Sequence, residues 1–118
     1  MPILKSAQEA VLNIEKSQLQ IIKSYNNPPP LVVKVLNACC LLFGYEENWE
    51  NAKRYLLNDI RFLNKLLEFN VNTAPDSRFV KLRTQYLKDD VNFNKKLVSN
   101  QSEAAASIFQ WLTAINVY

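Results

Sequence analysis

Apolar residues recur along this chain at steps of three and four, the spacing that lines one face of a helix. At the N-terminal end, Leu4, Ala7, Val11, Ile14, Gln18, Ile21 and Tyr25 alternate those steps and form a heptad seam. A weaker stripe of Leu12, Leu19 and Ile22 lies one residue over. The pattern predicts a single helix over residues 3–25 whose near-equivalent seams leave its pairing register poorly fixed. At the other end Ala104, Ile108, Trp111, Ile115 and Tyr118 repeat the pattern, with Asn100 and Glu103 as a capping arrangement that opens the helix. Both helices read as cut from longer ones, and they are expected to return beside each other as an antiparallel coiled coil.

Between these arms the pattern changes abruptly. Pro28, Pro29 and Pro30 stop the first helix, because proline donates no N–H and biases its predecessor away from helical angles. Leu31, Val32, Val35, Leu36, Cys39, Leu42 and Phe43 then follow at helical spacing up to Gly44, a natural helix stop. Lys34 is the single charge in that stretch, and Asn37, Ala38 and Leu41 are the neighbours expected to share its exposed side. Shorter helices follow. Asn48 caps one carrying Trp49, Ala52 and Leu56 inward. Asp59 caps another with Ile60, Leu63 and Leu67 inward and Arg61, Lys65 and Glu68 outward. Residues 70–75 form a loop, and Asp76 or Ser77 begins a helix bearing Phe79, Leu82 and Tyr86, which Asp89 and Asp90 end. The architecture is all-α: a small helical globule of about four short helices at the tip of an antiparallel two-helix coiled coil. Its divisions are the incoming helix at 1–27, the globule at 28–100 and the closing helix at 101–118.

Composition narrows the function more than the fold. At 118 residues there is room for one domain. Without histidine the usual general base, metal ligand and pH switch are missing, and a single glycine rules out phosphate-cradling loops. Glu46, Glu47, Asp89 and Asp90 read as capping or solvated acids, so no catalysis, metal or cofactor is expected. Cys39 and Cys40 are adjacent on a helix and point about 100° apart, which suits core filling and not a disulfide. No apolar run reaches the ~18 residues that a membrane span needs. A net charge of +3 is too weak to argue for nucleic acid.

The ordered set of segments IIKSYNNPP, VVKVLNACCLLFG, the spaced Trp49, FLNKLLEFN, YLKDDVNF and SEAAASIFQW resembles the microtubule-binding domain at the end of the dynein heavy-chain stalk. The likeness covers essentially the whole chain, and YLKD with Phe93 is closer to axonemal than to cytoplasmic dyneins. It implies a monomeric knob that grips α/β-tubulin in microtubules, in the cytoskeleton of a cilium or flagellum, while the parent motor hydrolyses ATP elsewhere. It also implies contact through Lys34, through Arg61 and Lys65, and through Asn100, with Pro28, Pro29 and Pro30 as a hinge. The paired seams suggest the control: a half-heptad slide moves a helix ~5 Å, about one turn, and changes track affinity. The alternatives are a helical adaptor that binds an amphipathic peptide through Leu41, Leu66 or other exposed apolar groups, and a nucleic-acid binder using Lys81, Arg83, Lys88, Lys95 and Lys96. Asp89 and Asp90 interrupt that last set.

Overall fold

The computed structural model describes residues 2–59, 61–69, 74–88 and 91–117. Expectations placed on Ile60, on the loop over 70–73, on Asp89 and Asp90, and on Tyr118 fall outside these residues. So does the side chain of Leu4. Helices are the only regular elements among the described residues: α1 (Pro2–Leu12), α2 (Lys16–Ser24), α3 (Pro30–Phe43), α4 (Trp49–Asn51), α5 (Phe62–Leu67), α6 (Asp76–Lys81), α7 (Lys95–Gln101) and α8 (Glu103–Val117). α4 and α6 each run on as a π-helical stretch, over Ala52–Leu57 and Leu82–Leu87. The four short helices expected between the arms are α4 to α7.

The N-terminal helix is not continuous. It breaks after Leu12 and restarts at Lys16, with Glu15 as the N-cap. Glu15 and Gln18 form a reciprocal capping box, in which the Glu15 carboxylate accepts from the Gln18 backbone and the Glu15 N–H donates to the Gln18 side chain at 3.1 Å. Gln18, placed by the heptad in the seam, is therefore used as a cap. The burial shows the same change of side. Ala7, Val11 and Ile14 of the stronger seam are buried in the first half, and Ile22 of the weaker stripe is buried in the second. Of the members left over, Leu12 at 65% and Ile21 at 56% are exposed, while Leu19 and Tyr25 are partly buried against the core.

α1 packs along α8 and also against α5. The end of α2 faces the start of α8 across a groove of about 200 Å³ lined by Gln18, Ile21, Ile22, Tyr25 and residues 101–104. The incoming chain thus runs antiparallel to α8. The arms share one buried cluster with the other helices, and the molecule measures 33 × 26 × 26 Å.

α8 is buried nearly all round, through Ala104, Ala105, Ile108, Phe109, Trp111, Leu112 and Ile115. Trp111 fixes it to α5 by donating its indole N–H to the Leu66 carbonyl at 3.0 Å, and its ring stacks on Phe43 and meets the edge of Phe69. Its N-cap is Ser102, whose hydroxyl accepts from the Ala105 N–H at 3.2 Å, and not Asn100, which lies in the last turn of α7. A serine directly before the helix outcompetes an asparagine two residues upstream.

α3 begins and ends as its sequence dictates. Pro30 occupies the first helical position, where its missing N–H costs nothing, and Gly44 closes the helix at φ 86°, its N–H reaching back to the carbonyls of Cys40 and Leu41. Val32, Val35, Leu36, Cys39, Cys40 and Leu42 are buried as expected. Ala38 and Leu41 are buried too, because α3 meets α8, α7 and both π-helical stretches and so is covered on more than one side. In α5 the inward residues are Phe62 and Leu66, with Leu63 and Leu67 half-buried beside them.

Desolvation pushes the Cys39 thiol well above its ordinary value and that of Cys40 up to about 11. Glu47 is no simple surface acid. Its carboxylate pairs with Lys81 and accepts the Tyr86 hydroxyl, which fastens the loop after α3 to the α6 region. Burial, then the hydrogen bond to Glu47, raises the Tyr86 phenol above its usual range.

Candidate functional site

The side chains that the sequence singles out fall on helices α3, α5 and α7, apart from Arg61, which directly precedes α5, and Pro28 and Pro29, which precede α3. Lys34 sits in the first turns of α3, half-buried, with its ammonium 4.6 Å from the centroid of the Phe93 ring. Phe93 is fully buried below it and meets Phe109 of α8 edge-on, at 4.8 Å between centroids. A cation over an aromatic face is attracted by about 0.5–1 kcal/mol at an exposed site. That is enough to favour one presentation of a flexible lysine. Lys34 makes no ion pair among the described residues.

The N-terminus of α3 is held from the far end of the chain. Leu31 donates its backbone N–H to the Gln101 side chain at 2.9 Å. α7 is opened by Asn94, whose side chain accepts from the Leu97 N–H at 3.0 Å, and it packs against α3. Asn100 is exposed on α7. Lys34 and Asn100 therefore belong to touching helices.

Arg61 and Lys65 lie on a separate element. α5 packs on α1, and both basic side chains point to solvent, as the sequence predicts. Neither is unengaged. The Lys65 ammonium pairs with Asp59, and Arg61 approaches Glu68 at 3.9 Å with both side chains more than 60% exposed. So open a pair contributes little. The hydrogen bond from Lys65, then the Arg61 N–H at 2.8 Å, holds the Asp59 carboxyl below its ordinary range, and the same contact raises Lys65. Asp59 thus accepts the N–H of Arg61, the residue directly before α5, and orients Lys65; it does not cap α5 as the sequence predicts, since the N-cap position is taken by Arg61 and no side chain caps the helix.

Several groups beside this surface carry no signal in the sequence. Tyr45 and Tyr55 stack with centroids 4.6 Å apart and only 10° between ring planes, and the Arg54 guanidinium lies 5.6 Å from the Tyr55 ring. Gln101 is equally unmarked, and nothing in the sequence ties Phe93 to Lys34, since the partners Lys34 and Leu31 lie 59 and 70 positions away. Leu41 and Leu66, the two anchors named for a bound amphipathic peptide, are 8% and 1% exposed and cannot serve. Among the described residues, no group of three or more His, Cys, Asp or Glu side chains is placed to hold a metal.

The whole chain, residues 1–118, matches the family model described as the microtubule-binding stalk of dynein motor. The chain belongs to that family. This dynein stalk domain is 36% identical over 118 residues to human dynein axonemal heavy chain 14 and 30% identical over 118 residues to human dynein axonemal heavy chain 2. It is 29% identical over 114 residues, 96% of the chain, to the cytoplasmic dynein heavy chain of Saccharomyces cerevisiae. The stalk domain spans about 3% of the length of each of these relatives. Axonemal and cytoplasmic dyneins both align with it.

Proposed function

We propose that this chain is the tip of a dynein stalk and docks on α/β-tubulin in the microtubule wall. The observation that carries the reading is Lys34: the single cation of an otherwise apolar helix, without an ion pair among the described residues and held over the Phe93 ring, in a chain that matches the stalk family from end to end. Arg61 and Lys65 on α5 and Asn100 on α7 supply further polar contacts. Lysine and arginine at a rim set approach and orientation more than depth of binding, so affinity falls as salt rises. The domain acts as a monomer and needs no cofactor. It carries out no catalysis of its own, and ATP hydrolysis belongs to the rest of the motor. An axonemal setting fits the higher identity to human axonemal heavy chain 14.

Control of this grip follows from the arms. Residues 1–27 and 101–118 act as the stubs of the stalk, 28–100 as the knob, and Pro28–Pro30 as the hinge between them. Sliding of one arm past the other by half a heptad repositions α3, and track binding must favour one register to the same extent that the register favours binding. The burial pattern supports two usable seams, since Val11 and Ile14 are buried from one and Ile22 from the other. Co-sedimentation with microtubules across a salt series tests the reading. Wild type pellets with the track and is released as salt rises, and Arg61→Glu pellets less. A chain that stays in the supernatant at low salt refutes it.

A further inference from the structure

The first turn of α3 has two attachments to the returning arm. Pro30 has no N–H, and the first ordinary helical bond, from Val33 to the Pro29 carbonyl, is 3.1 Å long. The Leu31 donor therefore has no partner within α3. Gln101 provides one at 2.9 Å, from the residue immediately before Ser102, the cap of α8. One turn further along α3, Lys34 rests on Phe93, and Phe93 rests edge-on against Phe109 of α8. The backbone start of α3 and its single cation are thus both seated on the stretch from Phe93, just before α7, to Gln101, which leads directly into α8.

We propose that Gln101 and Phe93 are positioning residues for Lys34, through which the returning arm sets how that cation is presented to the track. The inference rests on the reading of Lys34 as a track contact. Axial movement of α8 carries Phe109 and the Ser102 cap with it, and so shifts both supports together. The proline segment gives a pivot but offers no side-chain hydrogen bond to α3, whose N-cap Pro29 makes none. Coupling therefore runs through the outgoing strand as well as through the hinge.

The test is a double-mutant cycle read by microtubule co-sedimentation over a salt series. Gln101→Leu and Phe93→Leu each weaken binding about threefold to tenfold, the scale of a lost helix cap, and both flatten its salt dependence. Gln101→Glu restores it, because a carboxylate accepts the same N–H and suits a helix N-terminus. In a Lys34→Ala background either substitution costs less than about twofold more. Equal losses with and without Lys34, or no rescue by Gln101→Glu, overturn the proposal. If wild type does not pellet, the track reading fails, and amide exchange then decides the positioning separately. Gln101→Leu is expected to speed exchange at Leu31 about tenfold or more while leaving Ile108 protected. Unchanged protection at Leu31 overturns the proposal.

Discussion

Gly44 is the backbone position on which the end of α3 depends, and Gly44→Ala measures that dependence. Its φ of 86° lies in the left-handed region, where a residue with a Cβ is strained by about 1–2 kcal/mol. An added Cβ would also sit 2.9 Å from Nη2 of Arg78 and 3.2 Å from its Cζ, so the guanidinium must move. That movement endangers the Arg78 hydrogen bond to the Leu42 carbonyl, 3.3 Å long, whose loss costs about 0.5–1.5 kcal/mol. Reduced freedom of the unfolded chain returns about 0.4–1 kcal/mol. The balance is a loss of about 0.5–3 kcal/mol, and its midpoint of about 1.8 kcal/mol is a fall in Tm of about 5–11 °C for a domain of this size. Urea denaturation followed by circular dichroism gives the free energy directly. Gly44→Asn provides an internal check, since asparagine tolerates left-handed angles and should recover part of the loss. A loss below about 0.5 kcal/mol for alanine, or no advantage for asparagine, would refute the reasoning.

Other consequences can be measured on the same domain. Trp111→Phe leaves the Leu66 carbonyl without its indole donor and should cost about 1–3 kcal/mol in urea unfolding. Cys39, Cys40 and Tyr86 all have raised values in the folded state, so the unfolded chain loses those protons first. Stability from these groups is complete below about pH 9 and falls as pH rises from there towards 11 and beyond, which the urea midpoint at successive pH values will show. Asp59 has the opposite sign: its depressed carboxyl contributes stability at neutral pH that is lost as pH falls below the ordinary carboxylate range. NMR titration of Asp59 should show its midpoint rising in Lys65→Met.

Much of the helical layout was legible because it depends on local chemistry. The triple proline and Gly44 bracket α3 in the sequence as they do in the structure, and Asn48 caps α4 through the Asn51 N–H at 2.7 Å. The seam of α8 was equally plain, since Ala104, Ile108, Trp111 and Ile115 are all buried. The break at residues 13–15 was hidden by a heptad running through it, although Glu15 and Gln18 have the spacing of a capping box. The π-helical stretches had no local marker. In the first, the Asn58 N–H reaches the Lys53 carbonyl at 2.8 Å, a bond over five residues that the spacing of apolar positions does not announce. At the candidate site, the lone charge of Lys34 could be read from its neighbours. What seats it could not, since Phe93 and Gln101 reach it only through tertiary packing, and the same holds for the pairing of Lys65 with Asp59.

The central claim is that α3 presents Lys34 to the microtubule wall. Its most direct measurement is the dissociation constant for taxol-stabilised microtubules of wild type, Lys34→Ala, and Lys96→Ala, an exposed lysine on α7 that removes the same charge elsewhere. Lys34→Ala is expected to weaken binding at least about tenfold, the scale of a charged hydrogen-bonding contact, and Lys96→Ala less than about threefold. Equal effects of the two substitutions, or binding unchanged by the loss of Lys34, would contradict the account.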